Sequence, residues 1–139
     1  MNFIKVISVL LLPLIAFSYS YFYYANGTLQ STQIAVNYSM EEVVITKLAT
    51  NIFSSMSVEA TISSLFLVNR TNTLVINISF PSSETFSPMR EFEIFYSLIN
   101  TIFTNFPSIN YIEFVRPIFV KYISTKYVIT RDEVKYEDR

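Results

Sequence analysis

The chain of 139 residues has no cysteine, no histidine and no tryptophan, and its single glycine is Gly27. Without cysteine and histidine there is no thiolate or imidazole, which excludes Ser-His-Asp catalysis, Cys-His catalysis and a structural zinc site. One glycine cannot form a glycine-rich phosphate-binding loop. The sequence therefore predicts a protein that is not an enzyme, with no catalytic residues, no cofactor and no metal.

Charge is also sparse. Charged residues make up 15% of the chain, the net charge is −1, and acids and bases are scattered. A nucleic-acid binder would show a basic stripe, so we expect no nucleic-acid partner. The charges that run from Arg131 to Arg139 mix both signs and predict a solvated tail. Hydrophobic residues make up 51% of the sequence, enough for one domain with a sizeable core.

The first twenty residues, "MNFIKVISVLLLPLIAFSYS", follow the order of a secretory signal. Lys5 supplies the early positive charge, an apolar run extends from Val6 to Phe17, and small polar residues follow. The pattern predicts a signal peptide or membrane anchor over residues 1–20, either cleaved after Ser18 or Ser20 or retained. A buried N-terminal helix or strand is the alternative. The folded part is then extracytoplasmic: secreted, periplasmic or membrane-anchored.

Periodicity and turn signals predict the element order ββαββαββ. Asn26-Gly27 marks a hairpin between the first two strands, and Ser39 with Glu42 resembles a capping box. Ser87 and Pro88 suit the start of the second helix. The predicted strands are 21–25, 29–38, 65–68, 74–80 and 109–115, followed by short extended pieces at 118–123 and 126–129, and the predicted helices are 40–55 and 89–106.

These elements predict an α+β fold over residues 21–130. Two amphipathic helices, each with one apolar face, need a sheet to cover. We therefore expect a two-layer sandwich in which both helices lie on one face of a mostly antiparallel mixed sheet. The charged tail would occupy residues 131–139.

The second helix carries the most distinctive pattern. Its predicted apolar face contains Phe92, Phe95, Ile99, Ile102, Phe103 and Phe106. Its predicted solvent face contains Glu93, Ser97, Thr101 and Thr104. Asn100 lies at the border of the apolar arc, where the Asn100-Thr101 pair would form structural hydrogen bonds or contact a partner. The aromatic residues of this helix, which include Tyr96, are spaced as core rather than as a cofactor or peptide groove.

The segment "TLVINISF", a polar loop, and then "EIFYSLINTIFTNFPSINYIEFV" resemble the GerMN domain of bacterial sporulation and germination proteins. Tyr96 to Ile102 stand where that family has its helix signature, Phe106 to Ser108 where it has a turn, and Ile112 and Phe114 in the strand. The resemblance extends over about residues 21–130. Its signature positions, which describe packing, are Tyr96, Ile99, Asn100, Thr101, Phe106, Pro107 and Phe114.

The resemblance implies non-enzymatic work in assemblies of the cell envelope. This chain departs from the family in three ways. Arg116-Pro117 stands where the family usually has Asp-Gly, one copy of the domain is present, and no cysteine could accept a lipid. The family's fold therefore transfers better than any specific role.

Other candidate groups receive structural interpretations. Glu84, Glu91 and Glu93 cluster near the start of the second helix, where carboxylates favour the helix dipole and lack a partner that would make an acid/base pair. Glycosylation sequons begin at Asn26, Asn37, Asn69 and Asn77, and we interpret them as background unless the source is eukaryotic.

Two hypotheses of function follow. The first is an exported interaction module that binds another envelope protein or itself, attached to the membrane if the N-terminal segment is retained. Its docking edges would be Tyr21–Ala25 and the region Tyr122–Ile129. The second is an exported module that binds or hydrolyses cell-wall glycans, which requires facing carboxylates in a cleft or a row of exposed aromatic rings.

Overall fold

The computed structural model describes residues 16–37, 40–81, 86–115 and 126–131. The elements follow the predicted order, and the fold class is α+β as expected. The strands are β1 (Ala16–Ala25), β2 (Thr28–Asn37), β3 (Thr61–Val68), β4 (Thr73–Ser79), β5 (Tyr111–Val115) and β6 (Lys126–Thr130), and the helices are α1 (Glu41–Ser55) and α2 (Pro88–Asn105). The extended piece predicted at 118–123 lies outside the described residues.

Strands β3 to β6 form one mixed sheet in sequence order. The β3–β4 and β5–β6 pairs are antiparallel, whereas β4 and β5 are parallel because α2 connects them. Alternation along β4 places Leu74, Ile76 and Ile78 in the core. The ring of Phe95 on α2 meets Phe114 of β5 edge-on at 4.7 Å between centroids, which locates α2 on this face. The opposite face leaves Phe66 and Tyr111 exposed.

The first hairpin forms a separate two-stranded sheet among the described residues, which differs from the single sheet that we expected. Asn26 and Gly27 both have positive φ, 55° and 75°, which is the type I′ turn that the sequence predicted. β1 begins at Ala16 rather than at Tyr21. The predicted signal or anchor over residues 1–20 therefore overlaps the first half of a paired strand.

Helix α1 buries an aliphatic face that includes Val44, Leu48 and Ile52. Met40 occupies its N-cap position without a side-chain hydrogen bond, and Ser39 of the predicted capping box lies outside the described residues. The helix ends in a Schellman motif in which Val58 donates its amide to the carbonyl of Phe53. Ser57 takes the left-handed position, with φ 55°.

Helix α2 begins as predicted, because Ser87 is the N-cap, its hydroxyl accepts a hydrogen bond from the Arg90 amide, and Pro88 follows. The middle of the helix is buried on more than one side, since the sheet lies on one side and β1 on another. A single core cluster joins residues of the hairpin, such as Tyr21 and Val36, to those of the helices and the larger sheet. None of the helices in the described residues is long and apolar enough to cross a membrane.

Candidate protein-interaction site

The outer edge of β1, the side away from β2, is covered by α2. Ser20 donates its backbone amide to Oδ1 of Asn105 at 3.0 Å, and Nδ2 of Asn105 donates back to the Ser20 carbonyl. Phe22 donates its amide to Oγ1 of Thr101 at 2.8 Å. Two side chains of a helix thus take the place of a neighbouring strand. Covering with a helix is one of the ways in which proteins protect a sheet edge.

This contact corrects the predicted solvent face of α2. Thr101 is 1% exposed and Ser97 is fully buried, although both were predicted to face water. The expectation assumed one apolar neighbour, whereas the helix also packs on a strand edge that presents polar backbone groups. Hydroxyl and amide side chains suit that neighbour because they can accept its amide hydrogens. Thr104 is exposed as predicted.

The other signature residues are divided between core and surface. Asn100 is 7% exposed and Ile99 5%, so both belong to the buried part of α2. Phe106 stacks on the ring of Tyr19 at 5.8 Å, and Phe114 contacts Phe95. Pro107 is exposed in the turn that follows the helix. The signature positions therefore include packing groups and the Thr101 contact with β1.

The outer edge of β2 has a different environment. Ser20 and Phe22 point their amides at α2, and they face Gln33 and Ser31 across the hairpin. Residues that face each other in an antiparallel pair either both point their backbone groups inward or both point them outward, and the two arrangements alternate. Gln33 and Ser31 therefore direct their amides and carbonyls away from β1, and the same alternation includes Leu29, Ala35 and Asn37.

Within the part of the chain that the structure describes, β2 pairs only with β1, and no hydrogen bond reaches its outward backbone groups. The side chains of Ser31, Gln33 and Ala35 are exposed on the face turned away from Tyr21 and Val36. The whole strand, "TLQSTQIAVN", contains no charge, no proline and no glycine. It therefore has none of the residue types that usually protect an edge strand.

The outer edge of β3, in contrast, contains a β-bulge, which is one of the features that protect an edge strand. The pairing of β3 with β4 shifts register between Ile62 and Ser64, so Ser63 bulges out of the ladder. The hydroxyl of Ser63 donates to the Asn77 carbonyl at 3.0 Å. A bulge bends the strand and makes its edge a poor template. The pairing of β2 with β1 is continuous over its ten residue pairs, so its edge contains no bulge.

The sequence predicted β2 as a strand but did not nominate its outer edge for docking. The nominated edge Tyr21–Ala25 belongs to β1, where the Phe22 amide is bound to Thr101 of α2. Part of the second nominated region, Tyr122–Ile129, lies outside the described residues, and its remainder belongs to β6. The sequence did contain a signal that the β2 edge is unprotected, because no charged residue occurs between Lys5 and Glu41.

A cluster of aromatic rings lies where β1 meets the first half of α2. The rings of Phe92 and Tyr96 stack at 5.3 Å, and the ring of Tyr24 lies 6.4 and 6.1 Å from them. Phe92 is 47% exposed, which corrects its predicted place in the core. Phe92 and Tyr96 turn their faces to each other, with 21° between the ring planes, whereas the ring of Tyr24 is tilted by 57° and 58° to them.

Two residues of the predicted carboxylate cluster, Glu91 and Glu93, lie in different surroundings. Glu93 lies 3.8 Å from the guanidinium of Arg90, which also donates to the Met56 carbonyl. Oε1 of Glu91 has no accessible surface and no hydrogen-bond partner, and burial raises the pKa of this carboxyl above its ordinary value. Glu84 lies outside the described residues. Among the residues described, no group of acidic side chains could hold a metal ion.

Arg131 corrects the predicted start of the solvated tail. Its guanidinium donates to the carbonyls of Phe103 and Phe106 at 2.7 and 2.8 Å, and to that of Ile109. It also lies 4.7 Å from the centre of the Phe103 ring. These are the last carbonyls of α2 and of the turn after it, so the cation compensates the negative end of the helix. The remainder of the tail, 132–139, lies outside the described residues.

No protein-family model matches the sequence, and no curated protein matches it. The resemblance to the GerMN domain therefore depends on the sequence of residues 73–80 and 93–115 alone. Among solved structures, a crystal structure of a "Putative Lipoprotein from Clostridium perfringens" is 13% identical to this chain with a TM-score of 0.45. The match covers 88% of this chain and 93% of that one.

Proposed function

We propose that this protein is an exported, non-enzymatic interaction module of the bacterial cell envelope, similar in role to GerMN-domain accessory proteins, and that its docking site is the outer edge of β2. The observation that carries the proposal is the row of backbone groups from Leu29 to Asn37. Such a row can add an extended segment of another chain as a further strand. The early positive charge of Lys5 and the apolar run that follows it support an extracytoplasmic location, with residues 16–20 retained because they belong to β1.

The chemistry of the edge suits this role. Main-chain hydrogen bonds supply the affinity in strand addition. The neighbouring strand β1 is fixed by β2 on one side and by α2 on the other, so the template is ordered before a partner arrives. A preorganised surface reduces the entropy that binding must overcome.

Site-specific photo-crosslinking in cells tests the proposal. A benzophenone amino acid is placed at Ala35 on the β2 edge, and at Thr50, which is exposed on α1, as a matched control. We expect a discrete protein adduct from position 35 and none from position 50. Equal labelling at both positions, or none at position 35, would contradict a docking role for β2.

The glycan-binding or hydrolytic alternative is supported by one observation, the half-exposed ring of Phe92 beside Tyr24 and Tyr96. A pull-down with purified cell-wall glycan separates the two functions. If Phe92→Ala abolished retention on the glycan while position 35 gave no adduct, the alternative would replace our proposal.

A further inference from the structure

We infer that the strand that occupies the β2 edge is β2 of a second copy of this chain, so that two hairpins join into one four-stranded antiparallel sheet. This inference rests on the proposed function and names the partner of the same site. It follows from the symmetry of strand pairing, from the side chains of β2 and from the absence of charge along it.

Symmetry restricts the register. A closed dimer has a twofold axis, and in an antiparallel strand pair that axis passes through a residue that faces its own copy. If that residue is Gln33, Ser31 faces Ala35 of the second copy, and Leu29 faces Asn37 of the second copy. All the residues that point their backbone groups outward then pair. A register centred on Thr32 would leave Asn37 unpaired, so we assign the axis to Gln33.

The side chains permit this pairing. Like charges that face each other destabilise a sheet, and β2 contains none. On the solvent face the contacts would join Ser31, Gln33 and Ala35, which are small or uncharged. On the other face Thr32 would lie opposite Ile34 of the second copy.

The same side chains favour a second copy over an unrelated protein. Recognition of a foreign strand takes its specificity from pockets for alternate side chains. The solvent face of β2 offers serine, glutamine and alanine, which form no pocket, and the edge has no charge that could select a partner of opposite sign. Self-pairing needs only a matching strand and a fixed register, and isologous dimers are the commonest oligomers.

Disulfide trapping tests the register directly, because the natural chain contains no cysteine. Full-length chains that carry Gln33→Cys are oxidised in the cell envelope and separated without reductant. Cα atoms of a hydrogen-bonded antiparallel pair lie about 5.5 Å apart, within the roughly 4.4–6.8 Å that a disulfide bridges. We expect a product of twice the chain mass. Gln30→Cys, which is also exposed but lies away from the axis, should give none.

A mixed experiment fixes the pairing further. Ser31→Cys and Ala35→Cys chains should not crosslink when each is expressed alone, and they should crosslink when they are coexpressed. Adding Ser31→Pro to the Gln33→Cys chain removes an outward amide and should abolish the product while the hairpin remains folded by circular dichroism. A dimer from Ser31→Cys alone, or no dimer from Gln33→Cys, would overturn the inference.

The outcomes separate this inference from the proposed function. If Gln33→Cys gives no dimer but position 35 captures a different protein, the second copy is excluded and the interaction site is retained. If neither experiment gives an adduct, both proposals fall.

Discussion

On the β1 side of the first hairpin, both outward backbone groups of Ser20 bond to Asn105 of α2, and the amide of Phe22 bonds to Thr101. On the β2 side, the groups of Gln33 and Ser31 meet no partner among the described residues. The two strands are similar in composition, since both are uncharged and rich in residues that favour strands. The difference shows that a helix can complete a sheet edge with two polar side chains, while no part of the described chain covers the opposite edge.

The largest expected effect comes from removing the first half of β1. A chain that starts at Tyr21 loses the bonds of Ser20, the stacking of Tyr19 on Phe106 and the pairing with the second half of β2. A domain is stable by only about 5–15 kcal/mol, so we expect the cooperative thermal transition to weaken severely or disappear. A chain that starts at Ala16 should melt like the full-length protein. Identical melts for the two truncated chains would show that residues 16–20 do not belong to the folded unit.

The apolar side of α2 should give the next largest effect. Ile99→Ala removes a side chain that is 5% exposed, and it should cost about 2–5 kcal/mol of unfolding free energy in a denaturant titration. Phe95→Ala should cost less, because Phe95 is only half-buried. The control is Thr104→Ala on the exposed side, for which we expect less than about 0.5 kcal/mol. Equal costs for Ile99 and Thr104 would contradict the observed orientation of the helix.

Removal of the polar contacts between α2 and β1 should have the next largest effect on the free energy of unfolding. Thr101→Val keeps the shape of the side chain and leaves the Phe22 amide buried without an acceptor, which should cost about 1–3 kcal/mol. Asn105→Leu should cost a similar amount, because it removes both bonds to Ser20. Thr104→Val is the matched control, with the same substitution at an exposed position. Equal stability of the Thr101→Val and Thr104→Val variants would show that the bond from β1 to Thr101 contributes nothing to the free energy of unfolding.

Arg131 tests whether the chain beyond β6 supports the end of α2. Arg131→Met keeps much of the aliphatic stem and removes the donors to the carbonyls of Phe103 and Phe106, at a cost of about 1–2 kcal/mol. Arg70→Met changes an exposed arginine in the turn between β3 and β4, and we expect it to be neutral. Equal unfolding midpoints in urea for the two variants would mean that the guanidinium contacts contribute nothing.

The open edge should give the smallest effect on stability. Gln33→Lys alters an exposed side chain on the solvent face of β2, so the isolated chain should change by less than about 0.5 kcal/mol. The same substitution places two positive charges opposite each other across the inferred dimer axis, which should abolish the product of disulfide trapping in an Ala35→Cys and Ser31→Cys mixture. A large loss of stability in dilute solution would show that the β2 edge is already occupied within one chain.

The elements of this fold were predictable wherever the signal was local. The Asn26-Gly27 turn, the Ser87-Pro88 helix start and the alternation in β4 depend on residues close together in sequence, and each is present in the structure. The burial of Ser97 and Thr101 was not predictable from helical spacing. The neighbour of Thr101 is the edge of a strand about eighty positions earlier in the chain, and the periodicity of one helix contains no information about it.

By itself, the sequence determined the element order, the absence of cysteine and histidine chemistry, and the lack of charge around the first hairpin, because each depends on which residues are present or on their spacing. The tertiary structure decided which edge of that hairpin is covered. The sequence does not indicate which strand Asn105 and Thr101 bind, and the packing of α2 against β1 selects that strand. It also gave Arg131 its role at the end of α2, because a helix terminus attracts any cation that the fold brings near it.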